Sequence, residues 1–402
     1  MADSDPTLAD RLVAAGRPDP IEGRHVNMPI ELGSTRVFDT LGAFEAARAA
    51  RLQSGTAYYG RYGNAASFKL ESALVELEQA AGVTLTSSGV SAITSALLAL
   101  LEPGQHLLIA DNVYGNSRAF ADSVLRRMQV EVEYVDVQNL ADLALRFKAN
   151  TAAILFEAPG SGTFEVPDIP AVAALASKNG VTSILDGTWA SPVFCQPLTH
   201  GVDVLLYSGS KHIVGHSDAM LGIIASADGN LHERIRRCVF ALGDKVGGQE
   251  VMLALRGLRT LALRMREVDR NGRCVAEWLA EQPVVAQVLH PAFDSCPGHA
   301  AWQRDFSGAA GLFGVVFHAS TAGAVVRFVD ALTHFGIGVS WGGYESLVLP
   351  VEPVRTARPW HAPGPLLRFN VGLDNPDTLI NDLRDALPLL TSEGAQLHEQ
   401  PD

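Results

Sequence analysis

Between Val90 and Ala225 the sequence alternates between runs at helical spacing and short apolar runs, and this rhythm restricts the available folds more than any other feature. Helical periodicity is read at Val90 to Leu101, Ser117 to Met128, Leu140 to Phe147 and Ile169 to Lys178. Apolar strands are read at His106 to Ala110, Val130 to Val135, Ala152 to Phe156, Thr182 to Leu185, Val202 to Tyr207 and Met220 to Ala225. Strands that are apolar along their whole length are buried on both faces. The pattern therefore predicts an α/β fold, a mostly parallel sheet with helices on both sides. Ligands of such sheets bind beyond the carboxyl ends of the strands. The informative residues are then Asp111, Glu157, Asp186 and the turn Ser208-Gly209-Ser210-Lys211.

A chain of 402 residues exceeds one ordinary core, which predicts a large domain with a smaller one. Before the alternation, residues 1–62 hold Pro18, Pro20 and Pro29 and one helix-like run, Leu41 to Leu52. Such an arm rarely builds its own core and is expected to pack on a neighbouring subunit or domain. Leu70, Leu74, Leu77 and Ala81 then follow at helical spacing, with Gly82 as a stop. A long helical region, Gln249 to Ala280, leads out of the alternating part. From Val284 an α+β pattern follows, with strands at Leu312 to Phe317 and Leu366 to Val371 and helices at Ala322 to Thr333 and Pro376 to Leu390. The reading divides the chain into an arm (1–62), a large domain (63–256) and a C-terminal domain (257–402), with a polar tail after Thr391.

Composition narrows the function. Hydrophobic residues are 47% and charged residues 19%, a globular balance, and the formal charge of −13 repels nucleic acid and anionic membranes. Cys195, Cys238, Cys274 and Cys296 lack metal or disulfide spacing, and the acidic start and short apolar helices argue against export or a membrane span. A cytoplasmic enzyme of small molecules is the expectation. His212, His216 and Asp218 do not complete a metal set, because Gly215 breaks the helix that His-x-x-x-His needs, so no metal is expected.

Of the five lysines (Lys69, Lys148, Lys178, Lys211 and Lys245), Lys211 alone sits among hydroxyl and glycine residues at a strand end. Lys69, Lys148 and Lys178 read as solvated helix-face residues. Lys211 suits a reactive amine, or an ordinary loop lysine. Ser87-Ser88-Gly89-Val90 opens a helix, where free N–H groups suit a phosphate, or simply a Ser88 cap. Tyr114 could stack on a flat cofactor or be structural. Asp186 could pair with a pyridine nitrogen or cap a turn. Ser208 and Ser210 could hold a phosphate or shape the turn. Arg368, in an apolar strand, demands a partner: a substrate carboxylate or a structural acid. Together the strand ends offer the parts that pyridoxal phosphate (PLP) requires.

At these residues the chain resembles the fold-type I PLP enzymes of the Cys/Met metabolism (transsulfuration) family, in particular its bacterial cystathionine β-lyase branch. Lys211-His-Ile-Val-Gly-His-Ser-Asp-Ala-Met, Ser340-Trp341-Gly342-Gly343-Tyr344-Glu345-Ser346 and Gly257-Leu-Arg-Thr-Leu carry the likeness, which runs from about Tyr59 to Leu390. The resemblance implies an aspartate aminotransferase-like fold with Lys211 as the Schiff-base lysine, Asp186 as the pyridinium partner and Tyr114 as the stacking ring. It places Gly89, Val90, Ser208 and Ser210 at the phosphate. Tyr59 and Arg61 are implied to reach that phosphate from a neighbouring subunit of a homotetramer with shared active sites, Tyr59 and Tyr114 also serving catalysis. Ser340 and Arg368 are implied to take the carboxylate of an amino-acid substrate. Three positions depart from the family pattern: Gly187 replaces Asn, Ala65 replaces Pro, and Val339 replaces a Tyr of the lyases.

The expected activity is PLP-dependent β-elimination on cystathionine or another S-substituted cysteine, giving a thiol, pyruvate and ammonia. The same scaffold also serves γ-lyase or γ-replacement chemistry on homoserine esters or thioethers, racemase side activity, and a non-catalytic PLP-binding role.

Overall fold

The structure, a computed structural model, describes residues 7–18 and 25–390. The readings made on the first six residues, on Pro20 and on the tail from Thr391 fall outside the described residues.

The arm holds α1 (Leu8–Ala14) and α2 (Leu41–Ala49), where the sequence reading found only the second. With seven residues, α1 is too short for periodicity to register, but Thr7 and Asp10 form a reciprocal capping box at its start. Its Leu12 is 1% exposed, and the helix packs on the long helix Gly248–Ala280. α3 (Ala65–Glu78) leads into β1 (Gly82–Thr86), a strand the sequence reading missed because Gly82 had been taken only as a helix stop.

The alternation then unfolds as α4 (Gly89–Leu100), β2 (His106–Ala110), α5 (Gly115–Phe120), β3 (Glu131–Val135), α6 (Leu140–Arg146), β4 (Thr151–Glu157), α7 (Ile169–Lys178) and β5 (Thr182–Asp186). α8 (Ser191–Phe194), β6 (Val204–Ser208), β7 (Gly222–Ser226) and α9 (Gly229–Leu242) follow. The run expected from Ser117 to Met128 begins earlier and relaxes into a π turn over Ala121–Leu125. Lys148 lies in a turn rather than on a helix, paired with Glu131 at 2.6 Å and Glu133 at 3.0 Å. The seven strands order as β1-β7-β6-β5-β4-β2-β3, all running one way except β7. Because β7 returns antiparallel to β6, the intervening residues 209–221 stay at the carboxyl edge of the sheet, and Lys211 with them.

α10 (Gly248–Ala280) is 33 residues long and runs without a break through the expected 256/257 boundary. β8 (Val285–Leu289), α11 (His299–Asp305), β9 (Leu312–Phe317), α12 (Ala322–Ala331), β10 (Gly336–Ile337), β11 (Leu347–Val351), β12 (Leu366–Asn370) and α13 (Pro376–Ala386) follow. Their sheet orders β10-β11-β12-β9-β8 and is antiparallel apart from β10 beside β11. One core fills the space between the seven-stranded sheet and its helices, and a second, built on Phe313, Phe317, Phe328 and Phe369, lies against α12 and α13. Under α9 and α3, Arg236 is 1% exposed and meets Glu71 at 2.9 Å. Removing either partner would strand a buried charge, a loss of about 3–5 kcal/mol. Among the described residues no helix is long and apolar enough to cross a membrane.

Candidate active site

Residues after β6 wind into a helical turn, with Lys211 N–H donating to Ser208 O at 3.0 Å and Gly215 N–H to Lys211 O at 2.7 Å. Ser210 fastens the turn to the start of β7: its hydroxyl accepts from Leu221 N–H at 2.8 Å and donates to Leu221 O at 3.3 Å. From this turn Lys211 Nζ donates to Ser340 Oγ at 2.7 Å and lies 5.4 Å from the Trp341 ring centre. Gly342, at φ +79°, lets the two segments approach, because a Cβ there would sit 3.1 Å from Lys211 Cβ. Burial, helped by the nearby Arg368 cation, pushes the Lys211 amine down to about 8, with Glu345 opposing. A substantial neutral fraction is then available near neutral pH, as a nucleophilic lysine requires.

Asp186 ends β5 directly beside Glu157 at the end of β4, the two being register partners. Asp186 accepts from Thr188 N–H at 3.0 Å and from the Thr188 hydroxyl. That hydroxyl also accepts from Ser208 N–H at 2.9 Å, so Thr188 joins the aspartate to the lysine-bearing strand. Glu157 accepts from Tyr114 N–H and from the Ser161 hydroxyl, each at 2.7 Å. Burial first, and then the Asp186 charge, push Glu157 well above the carboxylate range. Burial also raises Asp186, against the bonds from Thr188. Burial is the first cause in both, so neither carboxylate of the pair keeps its ordinary range.

α4 begins between these groups, capped by Ser88 Oγ, which accepts from Ser91 N–H at 3.1 Å. Among the described residues the N–H groups of Gly89 and Val90 have no partner, while Ser87 N–H donates to Asp244 at 3.1 Å. A Cβ on Gly89 would fall 2.5 Å from Ser208 Cβ, so glycine is what lets the helix start approach β6. The Ser208 hydroxyl is without a hydrogen-bond partner among the described residues, unlike that of Ser210. Tyr114 precedes α5 and is 42% exposed, and its hydroxyl accepts from Asn116 Nδ2 at 2.7 Å.

Arg368 reaches the same residue as Lys211. Its Nη2 donates to the carbonyls of Val339 at 2.8 Å and Ser340 at 3.2 Å, leaving Nε and Nη1 without a partner among the described residues. The segment carrying Ser340 is pinned by Asn370, which accepts from Gly342 N–H at 3.1 Å and donates to Glu345 O at 2.8 Å. Sequence reasoning missed Thr188, Trp341 and Asn370 as parts of this site. Each is an ordinary polar or aromatic residue until its neighbours are known. His212 is buried edge-on against Trp341, and burial with Arg264 holds its imidazole down to about 3, hence neutral. The structure does not bring Tyr59 and Arg61 to Lys211. Arg61 turns back to its own chain, donating to Phe240 O and to Tyr62 Oη.

Comparison with known proteins decides the family. Residues 10–388 match the Cys/Met metabolism PLP-dependent enzymes. The chain belongs to that family. It is 40% identical to a cystathionine beta-lyase of Bordetella avium over 90% of this chain and 92% of the relative. It is 37% identical to a cystathionine beta-lyase of Escherichia coli over 94% and 98%. A solved cystathionine gamma synthase from Xanthomonas oryzae pv. oryzae superposes with TM-score 0.85 at 29% identity, covering 96% of this chain and 99% of that one. The fold is accordingly fold-type I, and the cofactor of this Cys/Met-metabolism PLP enzyme is pyridoxal phosphate.

Two departures from the family pattern acquire physical reasons. A Cβ on Gly187 would meet Leu205 Cδ1 at 2.8 Å and Tyr207 Cε1 at 3.1 Å, so an asparagine would have to displace both side chains. Ala65 N–H donates to Glu31 at 2.8 Å, a bond that proline cannot make. Val339 is 83% exposed and lends only its carbonyl to Arg368.

Proposed function

We propose that this chain is a carbon–sulfur β-lyase that cleaves cystathionine or a related S-substituted cysteine to a thiol, pyruvate and ammonia. The observation that carries the reading is the convergence of Lys211 and Arg368 on Ser340, one through its hydroxyl and one through its carbonyl. An amine and a guanidinium brought to one residue suit the two ends of an α-amino acid.

In this reading the phosphate of the cofactor would be held by the N–H groups of Gly89 and Val90 and the hydroxyl of Ser208. The close approach of Gly89 to Ser208 forms the cradle that a side chain would fill. The Ser210 hydroxyl is committed to Leu221, so its contribution is to hold the turn. Asp186 would pair with the ring nitrogen and Tyr114 would stack on the ring. Bound PLP supplies a covalent anchor for amino groups and an electron-accepting ring. Lys211, whose pKa lowered to about 8 leaves part of its amine neutral near neutral pH, would serve as that anchor and would take the Cα proton at Nζ. Arg368, fixed through Nη2 by three carbonyls, would pair its guanidinium with the carboxylate and so aim that C–H bond at Lys211. Electrons from the broken Cα–H bond form the Cα–Cβ double bond as the Cβ–S bond breaks, the leaving thiolate takes up a proton, and water hydrolyses the remaining enamine to pyruvate and ammonia.

We further infer that residues 1–62 dock on a second copy of the chain, bringing Tyr59 and Arg61 to the partner's phosphate within a cytoplasmic homotetramer. The remainder divides into a cofactor-binding part, 63–256, and a smaller part, 257–402. Supporting this, Leu32, Val37 and Leu41 are 75%, 90% and 75% exposed, and α2 buries no residue. The likeness to a gamma synthase favours γ-chemistry as the second reading. Lys211→Ala tests the site: the purified protein should lose both turnover and the visible absorption of lysine-bound cofactor, and retained turnover would overturn the assignment.

A further inference from the structure

Asp111 follows β2 and is 4% exposed. Its carboxylate collects bonds from both sides of the molecule. Thr356 N–H lies 2.9 Å from each oxygen, Ala357 N–H at 2.9 Å, Arg358 N–H at 3.0 Å and the Thr356 hydroxyl at 3.0 Å. Arg118, on α5, closes the set at 2.6 Å. Three consecutive backbone N–H groups aimed at one carboxylate form a nest, a concavity that suits a negative acceptor.

These donors sit in residues 352–365, the loop that leaves β11 and returns directly into β12. The two strands pair so that Leu349 faces Arg368. A second attachment backs the first, with Arg355 Nη2 donating to Glu165 Oε2 at 3.3 Å and to the Thr163 hydroxyl. On the other side, Asp111 is three residues from Tyr114, and Arg118 stacks its guanidinium 3.7 Å from the Tyr134 ring centre. Burial would raise the Asp111 pKa, but the bonds from Arg358, Thr356 and Arg118 outweigh it and hold the carboxyl below its usual range. The latch is therefore ionised throughout the neutral range.

We propose that Asp111 is a positioning residue: it latches the 352–365 loop of the five-stranded sheet onto the seven-stranded sheet and so sets Arg368 at the reach of a substrate carboxylate. The proposal rests on the reading of Arg368 as the carboxylate site. Asp111 touches neither cofactor nor substrate. It acts because Arg368 and Lys211 belong to different sheets, whose separation nothing in β12 alone can fix.

The test is steady-state kinetics of holoenzyme on cystathionine for Asp111→Asn, Arg368→Gln and the double variant. An asparagine keeps one oxygen but turns an NH2 toward the nest. KM in Asp111→Asn should rise about tenfold or more while kcat stays within about threefold and the visible cofactor band is retained. The double variant should be no worse than Arg368→Gln alone, because both act through one contact. Raised KM in Arg368→Gln with unchanged KM in Asp111→Asn overturns the latch alone. Unchanged KM in Arg368→Gln overturns the carboxylate reading and the latch with it. If Asp111→Asn does not fold, Thr356→Val removes one bond to the latch and should raise KM severalfold with the band intact. A lower melting temperature with unchanged KM would show a merely structural contact.

Discussion

Lys211, Asp186 and Arg368 stood out in the sequence for one reason: each is a charged residue in or just beyond an apolar strand, where water is scarce and a charge needs a purpose. The structure adds what makes them work. The Lys211 amine, lowered to about 8, should be labelled by an amine-selective reagent in the apo-protein with a midpoint near pH 8. A midpoint above 10 would contradict the burial argument. Thr188 and Asn370 gave no such signal, since a threonine in a turn or an asparagine at a strand end has local uses enough. Behind the site, Glu78 is fully buried beside Tyr207, and burial pushes its carboxyl up to about 8. A folded-state pKa above the unfolded value favours folding while the group is protonated, so this contribution is complete below about pH 4.5 and lost as pH rises through 8. Glu78→Gln should therefore gain in melting temperature relative to the parent between pH 6 and pH 9. A constant difference across that range would show that Glu78 ionises freely.

Elements with long apolar or helical runs were legible almost to the residue, as at β2, α7 and β9. The misses have common causes. α1 is held by a cap and one buried leucine rather than by a repeated face, and β1 hides behind a glycine that ends a helix and begins a strand at once. α9 carries too many polar residues to advertise its buried Ile235, Val239 and Phe240. Gly257 of α10, visible in the sequence as part of a motif, proves to be a point of contact: a Cβ there would fall 2.2 Å from Ile213 O and 2.5 Å from Val214 O. These are carbonyls of the Lys211 turn, so the helix cannot be displaced without moving the lysine. Gly257→Ala should cost at least about 1–3 kcal/mol, read as a lower denaturation midpoint, and should weaken cofactor retention. An unchanged midpoint would mean that the turn yields without cost.

At the scale of the whole molecule, the active site is a seam between two sheets. The seven-stranded sheet contributes the lysine, the aspartate and the helix start, and the five-stranded sheet contributes Ser340 and Arg368. The alternation in the sequence announced the first sheet clearly. It could not announce the seam, because the contacts that make it, Lys211 with Ser340 or Asp111 with Thr356, join residues 129 and 245 positions apart. The chemistry performed at the seam is the central claim, and the carbon skeleton of the product reports it most directly. Incubation of the holoenzyme with cystathionine, with keto acids separated by chromatography, should yield pyruvate in step with homocysteine and ammonia. Accumulation of 2-oxobutyrate with cysteine instead would contradict β-elimination and assign the site to γ-chemistry.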